Sequence, residues 1–401
     1  MKVAMVLIAG LLLAGCGRRA ELEPCEIAKL ECQEDVYYAI VRLRGDGFDP
    51  FDGLPPIRTI TVDQYIEELT GGEPAPPPDP PDPNAPRKIN PRDLALQWLG
   101  LIQPSVSASK ASNDNRIEIV AAYYDPDEQR VTVIDRGQKR NDLWDTRLLA
   151  HEIVHAFQDN EVGGALFDGT TDGVFAARAR VEGEAVLYES LALAELTQTS
   201  PESMDLPTAY ANNIHGQRAN MPLQRSAFYA VSWFAYWFGA DMLVEGWLEG
   251  GNAAVRKLTQ EPPRRSVDYI ARHERRALSA ASALDCRVEV PAASFARAFH
   301  DRFGAMEIYA FLTAAQLPEP EAWALAVEWR DDLLWVYFDE DAGQVVLTWR
   351  IRLATEAAAD RVVETARTRP MLRAERIDRD ALIVGSEESL ADWPGATDCA
   401  R

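Results

Sequence analysis

The residues best suited to chemistry lie in one short stretch, His151-Glu152-Ile153-Val154-His155. Leu148, Leu149, Val154 and Phe157 recur around it at helical spacing. Residues four apart share one face of a helix, so both imidazoles can converge on a single ion. Imidazole nitrogen suits zinc, at about 2.0–2.1 Å. Glu152 would flank that ion without binding it, placed to take a proton from water as general base and later pass it to a leaving amine. The bland alternative is a core helix with two buried histidines. It fits poorly, because two unpaired imidazoles and a carboxylate on one buried strip are costly without a metal.

A third ligand is expected from a second helix packed on the first. The next helical pattern contains Arg180-Val181-Glu182-Gly183-Glu184-Ala185. Glu182, Glu184, Glu189 and Asp172 are all candidates there. With these residues the sequence resembles the gluzincins, metallopeptidases that combine His-Glu-x-x-His with a downstream glutamate ligand. In several of them that ligand opens a Glu-Gly-x-Ala segment, which Glu182-Gly183-Glu184-Ala185 matches. The chain is also similar to bacterial secreted or lipoprotein members with His-Glu-x-x-His-Ala-x-Gln-Asp, matched here through His155-Ala156-Phe157-Gln158-Asp159. This likeness covers roughly residues 119–261, but the Pro those relatives place near Phe228-Tyr229 is missing.

The resemblance implies that His151, His155 and Glu182 bind Zn2+, with Glu152 as the catalytic base. Glu189, seven residues after Glu182, would then partner an imidazole N–H. The small Gly183 and Ala185 would let the two helices approach closely around the ion. A strand at Ile119–Tyr124 would either be an edge that adds an extended peptide substrate beside the site or a buried strand with two packed tyrosines. His215, Tyr188 and Tyr229 are candidates for stabilising an oxyanion, each with a structural role as the alternative. The aromatic run from Phe228 to Phe238 reads as a core helix, and Trp323, Trp329, Trp335 and Trp349 as core packing.

Other elements must position these groups. The chain has 401 residues, 41 Lys+Arg against 63 Asp+Glu, and a formal charge of −22, which disfavours nucleic acid as a partner. Residues 1–16 hold one lysine, an apolar run and Leu13-Ala14-Gly15-Cys16. This end resembles a signal peptide with a lipobox, implying acylation of Cys16 and an outer-membrane lipoprotein facing the periplasm or the exterior. Cys25 and Cys32 are spaced for a local disulfide, which leaves Cys286 and Cys399 to clip the C-terminal region.

Residues 17–90 read as a helical segment followed by a stiff spacer, in which 8 of the 13 residues from Pro74 to Pro86 are proline. Residues 91–285 read as the metallopeptidase-like domain. It would hold a helix at Asp93–Leu101, a hairpin of Arg116–Tyr124 with Gln129–Asp135, and helices at Leu143–Asp159, Gly173–Leu196 and Ser226–Leu248. Residues 286–401 read as a small α+β unit. The expected fold class is therefore α+β, mostly helical, with a small sheet or hairpin before the motif helix. The expected function is a lipid-anchored zinc metallopeptidase acting on peptide or protein. The alternatives are a zinc amidase of cell-wall peptide, or a non-catalytic lipoprotein that binds a partner through its C-terminal unit.

Overall fold

The computed structural model describes residues 22–45, 53–72, 90–137, 141–162, 169–221, 227–278, 283–288, 290–386 and a few positions beyond, among them Trp393, Asp398 and Cys399. Cys16 and the proline-rich segment lie outside the described residues. The fold is α+β, mostly helical, with small sheets.

The elements before the motif run α1 (Leu30–Arg44), β1 (Ile57–Thr61), α2 (Val62–Thr70), α3 (Pro91–Leu99), α4 (Ala108–Ile119), β2 (Ala122–Asp125) and β3 (Arg130–Asp135). Then come four long helices, α5 (Asp142–Val162), α6 (Thr171–Leu196), α7 (Leu206–Asn220) and α8 (Ala227–Gln260), followed by the short α9 (Ser266–His273). The C-terminal part comprises β4 (Cys286–Arg287), β5 (Ala296–Asp301), α10 (Gly304–Ala314), α11 (Glu319–Val327), β6 (Trp329–Asp339), β7 (Gln344–Leu353), α12 (Glu356–Ala366), β8 (Leu372–Ile377), β9 (Asp380–Ser386) and β10 (Asp398–Cys399).

Helix boundaries follow from local chemistry. Thr61 and Gln64 form a reciprocal capping box at the start of α2, Asn90 accepts from the first turn of α3, and Thr170 accepts from Gly173 at the start of α6. The hairpin expected before the motif is shorter than its sequence suggests. Arg116–Ile119 is the last turn of α4, because the β-branched run begins while the helix begun at its Ser107 cap is still hydrogen-bonded. β2 therefore spans only Ala122–Asp125. It pairs antiparallel with β3, which also takes β1 on its other side in parallel, so β2 is an edge of a three-stranded sheet.

Residues 290–386 build a five-stranded antiparallel sheet in the order β5-β6-β7-β9-β8. Alternate residues divide its faces. Leu334, Val336, Leu347, Trp349 and Ile383 join the main core, while Trp335, Tyr337, Val346, Leu382 and Val384 meet Phe295 and Trp393 in a smaller one. The main core runs on through α1, α5, α6, α8 and α10. Both expected cysteine pairs are at disulfide distance, Cys25–Cys32 and Cys286–Cys399. Trp323, Trp329, Trp335 and Trp349 are all buried; the indole N–H of Trp329 and of Trp349 donates to Asp332, and that of Trp323 to Glu274.

α6 and α8 cross in close contact. A Cβ on Gly239 would lie 1.8 Å from the Ala179 carbonyl oxygen, and one on Gly183 would lie 2.2 Å from the Gly239 carbonyl carbon. Gly183 thus serves the contact of α6 with α8, not with the motif helix α5 as its position beside Glu182 suggested. Even so, it fixes the height and rotation of the helix that carries Glu182.

Candidate metal centre

α5 presents His151 and His155 on successive turns of one face, with ring centroids 4.9 Å apart. α6 brings Glu182 opposite them. Its Oε2 is 3.4 Å from His151 Nε2 and 3.5 Å from His155 Nε2. The three donor atoms lie within 4.8 Å of one another, and among the described residues this is the cluster of His, Cys, Asp and Glu able to hold a metal ion. Two ligand atoms bound at about 2.05 Å across a tetrahedral angle are about 3.3 Å apart. The separations found here match such a coordination edge, and they are long for a charge-assisted hydrogen bond. The three residues therefore fit a four-coordinate divalent ion that keeps one open position.

The far side of each imidazole is also held. His151 Nδ1 lies 2.9 Å from Glu189 Oε2, and the other carboxylate oxygen accepts from Arg147 Nε. A carboxylate only accepts, so Nδ1 carries the proton and Nε2 is the nitrogen that faces the ion. His155 Nδ1 lies 2.8 Å from Gln158 Oε1. The amide orientation of Gln158 is forced, because its Nε2 donates to the Val181 carbonyl and to Glu184 Oε2, at 2.9 Å each. His155 must then donate from Nδ1 and also turn Nε2 to the ion.

The electrostatics favour a cation. Burial works against a charged His151, but the carboxylates of Glu182 and Glu189 outweigh it and hold the ring well above the usual imidazole value. His155 is raised in the same way, chiefly by Glu182 against its own burial. Glu182 is held well below the carboxylate range: both imidazoles hydrogen-bond it and overcome the cost of burial. Glu152 is 4% exposed; burial pushes its carboxyl up, and the two imidazoles pull it partly back. Three acids facing two imidazoles attract positive charge, and one divalent ion can replace the protons the imidazoles otherwise hold.

Two further groups border the site. Tyr236 of α8 stacks on the His151 ring, with centroids 5.8 Å apart and planes at 23°. The charge of Glu182, then burial, pushes its phenol well above the ordinary value, so it stays protonated and able to donate. Arg178, one turn before Glu182 and part exposed, approaches the other oxygen of that carboxylate at 3.5 Å.

The remaining sequence candidates fall elsewhere. Glu184 is 2% exposed and faces Arg44 and Gln158, away from the ligand atoms. Asp172 accepts from the backbone N–H and hydroxyl of Ser266, tying the start of α6 to α9. His215 is exposed on α7. Tyr188 is buried, donates to Asn252 Oδ1 and has Arg44 over its ring. Tyr229 lies in α8, and its side chain is outside the described residues. Sequence reasoning passed over Tyr236, whose neighbours Trp233, Phe234 and Phe238 are indeed core and hid it in an apolar run. It also gave no role to Gln158 or Arg147, although both lie within four residues of a ligand on α5, where helical spacing could have flagged them.

Comparison with family models, curated proteins and solved structures gives no match for this chain.

Proposed function

We propose that this protein is a zinc-dependent hydrolase of the gluzincin type, most simply a peptidase, held by a lipid on Cys16 at the bacterial cell envelope. The observation that carries the reading is the arrangement of His151, His155 and Glu182 with ligand atoms at coordination-edge spacing and with each imidazole anchored from behind. Zinc in this position would supply a Lewis acid that acidifies water and polarises a carbonyl. Glu152 would accept the proton from the attacking water and return it to the leaving nitrogen, a task suited to a carboxyl raised by burial. Tyr236 would donate to the oxygen that gains charge. Glu189 and Gln158 would keep both imidazoles in the metal-binding tautomer.

β2 supports a peptide substrate. It is an edge strand packed against α5, and Tyr124 on it donates to Asp159 four residues beyond His155. An extended peptide adding to that edge would lie beside the motif helix. The test is hydrolysis of a fluorescence-quenched peptide library by the zinc-loaded protein lacking residues 1–16. Wild type should cleave, and Glu152→Gln should keep its zinc and lose cleavage. Equal cleavage by the two would overturn the assignment. The anchor is tested separately by mass spectrometry of the full chain expressed in a bacterium, which should find an acylated Cys16 at the mature N-terminus.

A further inference from the structure

The end of α1 reaches the metal-binding side chains through a buried chain of polar contacts. Arg44 is 1% exposed. Its Nη1 lies 3.0 Å from Glu184 Oε1, and its Nη2 donates to Glu161 at 2.6 Å. The guanidinium also sits over the rings of Phe157 and Tyr188, at 5.3 and 5.5 Å. Glu184 Oε2 accepts from Gln158 Nε2, and Gln158 Oε1 meets His155 Nδ1. The chain Arg44–Glu184–Gln158–His155 thus links α1 to residues of α5 and α6 more than 100 positions later.

Direction matters in such a chain. Arg44 has only donors, and the carboxylate between it and Gln158 has only acceptors. Glu184 therefore turns the NH2 of Gln158 toward itself and the oxygen of that amide toward His155. His155 then donates from Nδ1 and leaves Nε2 for the ion. Without Arg44, a carboxylate that is 2% exposed would lose the guanidinium 3.0 Å away and have to shift toward other donors, with Arg180 as its remaining cationic neighbour. Gln158 would lose one of the two acceptors that fix its orientation, with the Val181 carbonyl left to hold its NH2 alone.

We propose that Arg44 is a positioning residue for the metal centre, acting through Glu184 and Gln158 on His155. The segment before the metallopeptidase-like part is then a working piece of the site, beyond any role as a tether. A second contact holds α1 in register: the backbone N–H of Cys25, which pairs with Cys32 in the first turn of α1, donates to Thr146 Oγ1 on α5 at 2.9 Å. The proposal rests on the metal reading above.

The test is zinc affinity, by competition with a chromophoric chelator, for wild type, Arg44→Met, Gln158→Met and the double variant, each checked for folding by circular dichroism. Arg44→Met and Gln158→Met should each weaken zinc binding about 10- to 100-fold. The double variant should bind about as weakly as Gln158→Met alone, because Arg44 acts through that amide. A merely structural arginine would lower affinity in both backgrounds, so losses that multiply overturn the proposal, as does wild-type affinity in Arg44→Met. If Arg44→Met fails to fold, Arg44→Lys replaces it; it keeps the charge without the fork and should lose affinity only where Gln158 is present. A folded wild type that takes up no zinc overturns the metal reading itself, whereas zinc-binding wild type with an indifferent Arg44 overturns only this proposal.

Discussion

At the scale of single residues, the proposed site would separate holding a metal from using it. Glu189 has one task, to fix the His151 tautomer, and Arg147 anchors its far oxygen. Glu189→Ala is expected to weaken zinc binding about 10- to 100-fold in a folded protein, read by chelator competition. On the proposed reading Tyr236 would have the complementary task. Tyr236→Phe keeps the ring on His151 and removes only the hydroxyl, so zinc content should stay at the wild-type level while peptide turnover falls about 100-fold. Lost zinc in Tyr236→Phe would move that residue from the donor role to a supporting one. These two residues also show what local spacing can reveal. His151 and His155 were legible because helical spacing puts residues four apart on one face, Glu152 because it sits between them in the motif, and Glu182 only through the Glu-Gly-x-Ala resemblance. Tyr236 reaches the site only through the crossing of α8 over α6, and nothing within its own apolar run marks it.

At the scale of elements, the crossing of α6 and α8 sets the position of Glu182. Gly183 and Gly239 let the two backbones touch, with no room for a methyl group on either. Gly239→Ala should therefore force the helices apart and cost at least about 3 kcal/mol in chemical denaturation, with zinc affinity falling too as Glu182 moves. Gly216 on α7 makes a useful control: a Cβ there meets nothing within 4 Å, and Gly216→Ala should be neutral or add up to about 1 kcal/mol. Equal stability of the Gly239 and Gly216 variants would contradict the close crossing. Of the long helices, α7 was not read, while α5, α6 and α8 were readable from periodicity, as were the strands at Gln344–Leu353 and Leu372–Ile377. β1 was not, because its five residues gain their place from parallel pairing with β3, some seventy positions later. Arg116–Ile119 carried β-branched residues and yet folds as helix, an override of propensity by a helix already begun.

At the scale of the whole molecule, the C-terminal sheet and the metal-ligand helix are joined through buried acids. Asp301 at the end of β5 accepts from the Thr171 N–H and hydroxyl at 2.8 and 2.6 Å, and the Asp172 N–H donates to the Arg302 carbonyl at 3.0 Å. Nearby, burial first, and then the charge of Asp301, pushes the Glu307 carboxyl up to about 8, and burial pushes Asp172 to about 8 against the Ser266 hydrogen bonds. A raised folded-state value means that the folded protein keeps a proton that the unfolded chain releases. The stability from that proton is complete below the ordinary carboxylate range and is lost as pH rises through about 8, at up to about 1.4 kcal/mol per pH unit for each group. Metal-free protein should accordingly melt at lower temperature at pH 8 than at pH 5, and Glu307→Gln should flatten that slope. An unchanged slope would remove Glu307 from the set of buried acids that keep their protons.

The three-ligand metal site is tested by zinc per chain, measured by elemental analysis after zinc supplementation and gel filtration. Wild type lacking residues 1–16 and Glu182→Ala would be measured together, with folding of both verified by circular dichroism. About one zinc per wild-type chain is expected, and far less in the folded variant. No zinc in folded wild type would contradict the metal centre, and equal zinc in the two proteins would contradict Glu182 as its third ligand.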